Sequence, residues 1–509
     1  VAPVSGVGGA VATGHPSVSE AAVQMLAAGG NAFDAAIAAG FASAVAEPML
    51  TSLGGGGFLL AHSGDREVVF DFFTDTPGLG LPEREREPHF LPVTVRFPSS
   101  EQIFNIGLGS VAVPGTLAGL LHVHDRLGRL SLDRIVAPAA GLARDGVELN
   151  DHQAYAVELL VPINTLRPEG RALYAPEGRT PRAGDRLANA ELADFLETLP
   201  AHRARDFYGG DIARRIEADM HEGDGLLTAE DLATYRVVER EPLAVPYRGR
   251  RILTNPRPSF GGSLIALSLR LHEGLGPPGG WGGNTHLRHL AAVMVEVEAL
   301  REATFANEGP LRRGAVETAL ARVRRASGGT THISVADGEG NAAALTLSNG
   351  EGSGYVVPGT GIMLNNMLGE DDLHPDGFHA SPPGQRVSSM MAPTLVLSGG
   401  EVVLIVGSGG SKRIRTALIQ VITAVVDHGF DVVDAVEAPR LHWDGECLQA
   451  EPGFDEAALA SLESSWRVNR WPERNLYFGG VHAADPRGQA AGDPRRGGSG
   501  IVLDPPSVP

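Results

Sequence analysis

Between Ala32 and Ala46 the chain runs AFDAAIAAGFASAVA, a stretch in which only Asp34 is charged and no continuous polar side exists. A helix of this kind has no face to offer water, so it must be covered all round. Burying a whole helix requires packed layers of other elements against it. Its flanks are punctuated for that purpose. Ser17-Val18-Ser19-Glu20 has the spacing of a capping box and predicts the start of a preceding helix, which Gly29-Gly30-Asn31 ends. After the apolar helix come Thr51-Ser52-Leu53-Gly54-Gly55-Gly56-Gly57 and a strand over 58–62. Four successive glycines let one backbone approach another group closely, and the plainest reading is a tight turn between helix and strand.

Further along, 110–270 alternates helices with loops, and amphipathic helices are predicted over 116–128 and 187–199. Residues 239–255 read as extended and end in the loop Pro256-Arg257-Pro258-Ser259-Phe260-Gly261-Gly262. A helix over 286–307 continues into an arginine-rich helical stretch reaching about 325. The small residues Ala326-Ser327-Gly328-Gly329 then predict an exposed, breakable segment. At Thr330 the apolar period changes from helical to two. Strands over 330–336 and 342–348 flank the turn Asp337-Gly338-Glu339-Gly340-Asn341, a hairpin. A second hairpin, 394–397 with 402–406, leads through Gly407-Ser408-Gly409-Gly410-Ser411 into a helix striped by Ile414, Ala417, Leu418, Val421, Ile422 and Val425, stopped by Gly429. Helix pairs with antiparallel hairpins predict an α/β (α+β) chain of sheets layered with helices.

At 509 residues and 43% hydrophobic content the chain can build a large core. A net charge of −19, with Lys412 as its single lysine, provides no basic stripe for nucleic acid and no polybasic run for a membrane surface. The most apolar stretch, 32–48, carries Asp34 and Glu47 and is too short to span a bilayer. One cysteine, Cys447, excludes an intramolecular disulfide, and the absence of Cys/His clusters predicts neither metal nor cofactor. No signal peptide is visible after Val1-Ala2-Pro3, which slightly favours a cytoplasmic location.

Small residues followed by threonine at the head of a strand have a chemical meaning. If the Gly329–Thr330 bond breaks, one residue carries both a hydroxyl and a free α-amine of pKa about 8, low enough to serve as its base. The Thr330 hydroxyl can itself attack the Gly329 carbonyl, and water can hydrolyse the ester. The plainer reading is that threonine favours strands. Gly409 and Gly410, between a strand and a helix, offer backbone N–H groups to an oxyanion. A phosphate loop fails on spacing, because Lys412 follows Ser411. An ordinary turn at a helix start is the plainer reading here too.

A set of motifs in fixed order decides between these readings. They are Gly29-Gly30-Asn31-Ala32-Phe33-Asp34-Ala35-Ala36, Glu47-Pro48, Leu53-Gly54-Gly55-Gly56-Gly57-Phe58 and Val113-Pro114-Gly115-Thr116. Thr330-Thr331-His332-Ile333-Ser334-Val335, Gly361-Ile362-Met363-Leu364-Asn365-Asn366, Ser388-Ser389-Met390, Ala438-Pro439-Arg440 and Asp493-Pro494-Arg495 follow. Across almost its whole length the sequence resembles the gamma-glutamyltranspeptidase family of N-terminal-nucleophile hydrolases. The resemblance implies a four-layer αββα sandwich, one interwoven domain of two chains, 1–329 and 330–509, cut between Gly329 and Thr330. It implies Thr330 as nucleophile, with Ser348 in the place of a threonine that hydrogen-bonds it and Gly409 and Gly410 as oxyanion glycines. Asn349, Ser388 and Ser389 take substrate-binding positions.

Two positions depart from the family. Asp71-Phe72-Phe73-Thr74 stands where the family has Asp-Phe-Arg-Glu, so Phe73 replaces the arginine that grips a substrate carboxylate, a bidentate contact with no aromatic equivalent. Met367 replaces a glutamine, and Glu370 or Asp371 must serve for an amine-binding aspartate. The expected activity is gamma-glutamyltransferase-like: an acyl-Thr330 intermediate passed to water or an amine. An acylase or small-amide amidohydrolase with non-glutamyl substrate is the alternative, and an unprocessed, non-catalytic binding protein the third reading. The expected partners are a small-molecule amide and its acceptor, and the expected assembly is a heterodimer of the cut chains, or a dimer of these.

Overall fold

The computed structural model describes residues 8–83, 86–97, 100–307, 329–374, 377–378 and 380–503. Two antiparallel sheets stack face to face. The first has seven strands in the order Ser499–Leu503, Gly9–Thr13, Thr330–Asp337, Ala342–Ser348, Gly56–Ser63, Arg66–Phe72 and Val238–Arg240. The second has six: Gln489–Ala491, Gly480–Asp485, Glu401–Gly409, Thr394–Ser398, Arg250–Thr254 and Leu243–Tyr247. Helices Pro16–Ala27, Ala32–Ala46 and Thr116–Leu127 cover the outer face of the first sheet, and Phe260–Gly274 and Arg413–His428 cover the second. This is the four-layer αββα sandwich. Strands from before and after Gly329 are interleaved in the first sheet, where Gly9–Thr13 lies between Ser499–Leu503 and Thr330–Asp337.

The period-two pattern separates the two interiors. Leu59 and Ala61 point into the core under the first helices, while Phe58 and Leu60 point into the core between the sheets. Every residue of Ala32–Ala46 is buried, as its composition requires. Its start is fixed by Asn31, whose side chain accepts from the N–H groups of Phe33 and Asp34, while Asp34 accepts from the Asn31 N–H. Asp34, the one charge, also accepts from the Arg129 and Leu130 N–H groups, so the buried carboxylate is fully used.

Several sequence expectations need correction. The first helix begins at Pro16 with His15 as its cap, because Pro16 is preorganised for a first helical position; Ser17 is already inside. Phe260-Gly261-Gly262 is the first turn of Phe260–Gly274 and not loop, the Phe260 and Gly261 N–H groups being accepted by the Ser389 carbonyl. The helix expected over 187–199 runs Ala190–His202, capped by Asn189. The arginine-rich stretch and Ala326 to Gly328 lie outside the described residues. Gly329 is buried, not exposed. Both predicted hairpins and the helix Arg413–His428, ended by left-handed Gly429, are present.

Candidate active site

Thr330 heads the strand Thr330–Asp337 and pairs in register with Ser348, the last residue of Ala342–Ser348. The two hydroxyls meet: Thr330 Oγ1 donates to Ser348 Oγ at 3.2 Å. Ser348 Oγ in turn donates to the carbonyl oxygen of Gly329 at 2.5 Å. One serine hydroxyl therefore joins the threonine hydroxyl to the peptide carbonyl immediately before it. The Gly350 N–H donates to Ser348 Oγ at 3.2 Å, fixing that hydroxyl from behind. Thr330 is 5% exposed, and its own carbonyl accepts from Arg496 Nη1 at 3.1 Å.

Glycines make this approach possible. A Cβ on Gly55 would lie 2.2 Å from the Ser348 carbonyl oxygen, and one on Gly57 2.5 Å from that of Thr346. The four-glycine run thus packs against the neighbouring strand's own backbone. On the opposing sheet, a Cβ on Gly409 would lie 2.0 Å from the Thr330 carbonyl oxygen, and one on Gly407 2.2 Å from the His332 ring. Gly410 follows at φ 118°, a conformation that suits glycine, so the strand turns away directly beside Thr330. Gly409 therefore adjoins the threonine and Gly410 follows it in the chain, and neither lines the cavity at the Thr330 hydroxyl.

The small cavity at this hydroxyl, about 20 Å³, is lined by Phe73, Thr330, Ser348, Met367, Glu370, Asp372, Leu373, Ser389, Met390, Met391, Ser411 and Ile414. Phe73 and Met367 are both in it, and Phe73 is held by stacking on Phe58 with ring centres 5.5 Å apart. No arginine, lysine or histidine is among these lining residues. Arg386 comes near, but it is bound to Asp75, Asp71, the Tyr235 hydroxyl and the Phe73 carbonyl.

Two carboxyls face the cavity. Glu370 Oε1 is buried without a hydrogen-bond partner, and burial together with Glu351 and Asp372 pushes its carboxyl well up. Asp372 accepts from the Ser411 hydroxyl. Buried Lys412 lies near enough for Asp372 to support its charge, while desolvation lowers it to about 8. Of the two acids expected here, Glu370 and Asp371, only Glu370 lines the cavity; Asp371 is exposed and Asp372 joins Glu370, because the 3₁₀ turn Asp371–Leu373 rotates the chain. Two further expected residues stand apart from the cavity. Ser388 spends its hydroxyl on the Leu373 carbonyl at 2.5 Å, leaving only Ser389 in the lining. Asn349 is buried behind the Ser348 corner, its N–H on the Leu50 carbonyl at 3.3 Å.

Three groups around Gly329–Thr330 were not singled out for chemistry from the sequence. Glu47 accepts from Thr331 Oγ1 at 2.8 Å, and burial pushes its carboxyl up to about 7. The Gly329 N–H faces Glu351, whose carboxyl burial also raises. Arg496 is pushed down to about 10 by burial and by Arg413. Their only sequence signals were an acid just past the apolar helix, an acid between glycines after Ser348, and an arginine doublet. Among the described residues no group of His, Cys, Asp and Glu is arranged to hold a metal, and no helix is long and apolar enough to cross a membrane.

The family model for gamma-glutamyltranspeptidase matches residues 18–312 and 296–503. The chain is 33% identical over 510 residues to the Acylase ACY 1 proenzyme of Pseudomonas sp. (strain SE83), covering 94% of this chain and 90% of the relative. It is 32% identical over 505 residues to the glutathione hydrolase proenzyme of Escherichia coli (strain K12), covering 91% and 86% respectively. The crystal structure of cephalosporin acylase from Bacillus halodurans superposes with a TM-score of 0.81 at 25% identity, over 99% of this chain and 97% of that one. Fold, motif order and the paired hydroxyls at the strand head agree with these matches: the chain belongs to the gamma-glutamyltranspeptidase family.

Proposed function

We propose that this enzyme cuts its own chain between Gly329 and Thr330 and then uses Thr330 to take acyl groups from small amides. The hydrogen-bond chain from Thr330 Oγ1 through Ser348 Oγ to the Gly329 carbonyl carries this reading. It sets the attacking hydroxyl and the polarised carbonyl on one relay. Attack forms an Oγ1–C bond to Gly329 and breaks the C–N bond to Thr330. The hydroxyl's proton leaves through Ser348, and the departing nitrogen gains one. Water then hydrolyses the ester, leaving a Gly329 carboxylate and a threonine with a free α-amine. That amine can draw the proton from Oγ1 in each later turnover. The products are chains 1–329 and 330–509, held together as a heterodimer by the interleaved first sheet.

The next cycle acylates Thr330 with the substrate, with Gly409 and Gly410 turned to the oxyanion and Ser389 beside the acyl group. Ser348 holds the nucleophile's hydroxyl. Water or an amine completes the reaction. Names borne by relatives, glutathione hydrolase and acylase, cover both substrate types. The cavity favours the acylase reading: Phe73 and Met367 are apolar, and no base among its lining residues pairs with an α-carboxylate. Glu370 and Asp372 supply an acidic side suited to an acyl group bearing an amine. Parallel assays on a γ-glutamyl anilide and on anilides of acyl groups lacking the α-carboxylate test this. Faster turnover of the second set is expected; a γ-glutamyl preference contradicts it.

A further inference from the structure

A second and larger cavity, about 100 Å³, lies on the other flank of the Gly329–Thr330 bond. Met49 and Leu50 form one wall, and Tyr155, Ala156 and Leu160 of the helix Asp151–Asn164 form the facing one. Its inner end is closed by Gly329, Glu47, Glu351 and Arg496. Hydrocarbon walls with a few polar groups at one end describe a ligand site more than a packing fault.

The polar end has unmet demand. Glu47 Oε1 and Glu351 Oε1 are buried there without hydrogen-bond partners, in residues 5% and 4% exposed. Their other oxygens are used, by Thr331 Oγ1 at 2.8 Å and Asn366 Nδ2 at 3.2 Å. Arg495 is engaged on Glu451 and Asp493; Arg496 bonds the Thr330 carbonyl and acts on Glu47 through its charge without a hydrogen bond to it. Buried carboxyl oxygens without donors call for a donor that arrives from outside. The N–H groups of an amine are such donors.

The two cavities share no lining residue, and Gly329 stands between them. A Cβ on it would lie 2.3 Å from the Gly350 carbonyl oxygen and 2.7 Å from that of Met49, so bare backbone fills the gap. We propose that self-cleavage frees this barrier and makes the larger cavity the subsite for the amine half of the amide. It takes the leaving group in hydrolysis and the acceptor in transfer, and the amine it fits carries an apolar alkyl or aryl body. The hydrocarbon lies along Met49, Leu50 and the Tyr155–Leu160 side of the helix, with the nitrogen toward Glu47 and Glu351. In transfer the acyl–Oγ1 bond of Thr330 breaks, the acyl–nitrogen bond forms, and the amine's proton returns to the threonine oxygen. This subsite rests on the self-cleavage reading.

The test uses the full-length protein, whose cut state is first read by mass. One acyl group is offered as its methylamide and as its octylamide. Wild type should prefer the octylamide in kcat/KM, and Ala156→Trp, which puts an indole into the cavity, should lower the octylamide-to-methylamide ratio at least about tenfold. Tyr155→Ala, which removes a wall, should lower the same ratio even if the tryptophan variant fails to fold. A cut wild type without octylamide preference, or variants in which both amides change alike, overturns the subsite alone. A wild type that stays one chain overturns the self-cleavage reading and the subsite with it.

Discussion

Ser348 joins the Thr330 hydroxyl to the Gly329 carbonyl, so on the proposed mechanism its removal separates nucleophilicity from polarisation. Ser348→Ala should slow self-cleavage by about 10² to 10³, as for loss of one oxyanion donor, read as the time course of fragment appearance on a denaturing gel. Ser348→Thr should restore it. At Phe73 the effect is on selectivity. Phe73→Arg should raise turnover of a γ-glutamyl anilide relative to a simple acyl anilide about tenfold, because a charged bidentate contact replaces an apolar wall. An unchanged ratio contradicts the placement of Phe73 against the acyl group. Residue identity pointed to Thr330, Ser348, Phe73 and Met367, which the fold brings into one cavity. It did not show which of Asp371 and Asp372 faces inward, since a 3₁₀ turn sets that direction. Nor did it show that Ser388 is spent on the Leu373 carbonyl. Glu351 escaped because an acid between glycines reads as a solvated loop until the loop is seen folded under Gly329.

The elements that hold these residues were legible wherever their pattern is local. The apolar helix Ala32–Ala46, the two hairpins and the stop at Gly429 follow from period and punctuation, and all are present. Missed boundaries came from tertiary partners. Phe260-Gly261-Gly262 is helical because the Ser389 carbonyl takes its first N–H groups, a contact 130 residues away in sequence for Ser259 itself. The glycines of Glu401–Gly409 have an equally non-local reason. They let one sheet close onto the strand Thr330–Asp337 of the other. Gly409→Ala would set a methyl 2.0 Å from the Thr330 carbonyl oxygen, forcing the sheets apart. It should destabilise the protein by about 1–3 kcal/mol in urea unfolding and also block self-cleavage. A stable, fully processed Gly409→Ala protein contradicts that packing.

For the whole molecule, the buried acids around the cut give stability a pH dependence. Glu47 is raised to about 7 by burial, above its ordinary value of 4.5, so the folded chain holds a proton the unfolded chain has lost. Its stabilising share is fully present below about 4.5 and is lost as pH rises through about 7, on the order of 3 kcal/mol. In the uncut Thr330→Ala background, Glu47→Gln should flatten this fall, measured as urea midpoints from pH 5 to 8. A parallel slope in both proteins contradicts the burial of a neutral Glu47. Processing itself is most directly read by one intact-mass spectrum of the purified wild type beside Thr330→Ala. Two masses, for 1–329 and 330–509, are expected from wild type, and one uncut, inactive chain from the variant. A wild type that hydrolyses amides as a single unbroken chain contradicts the central claim.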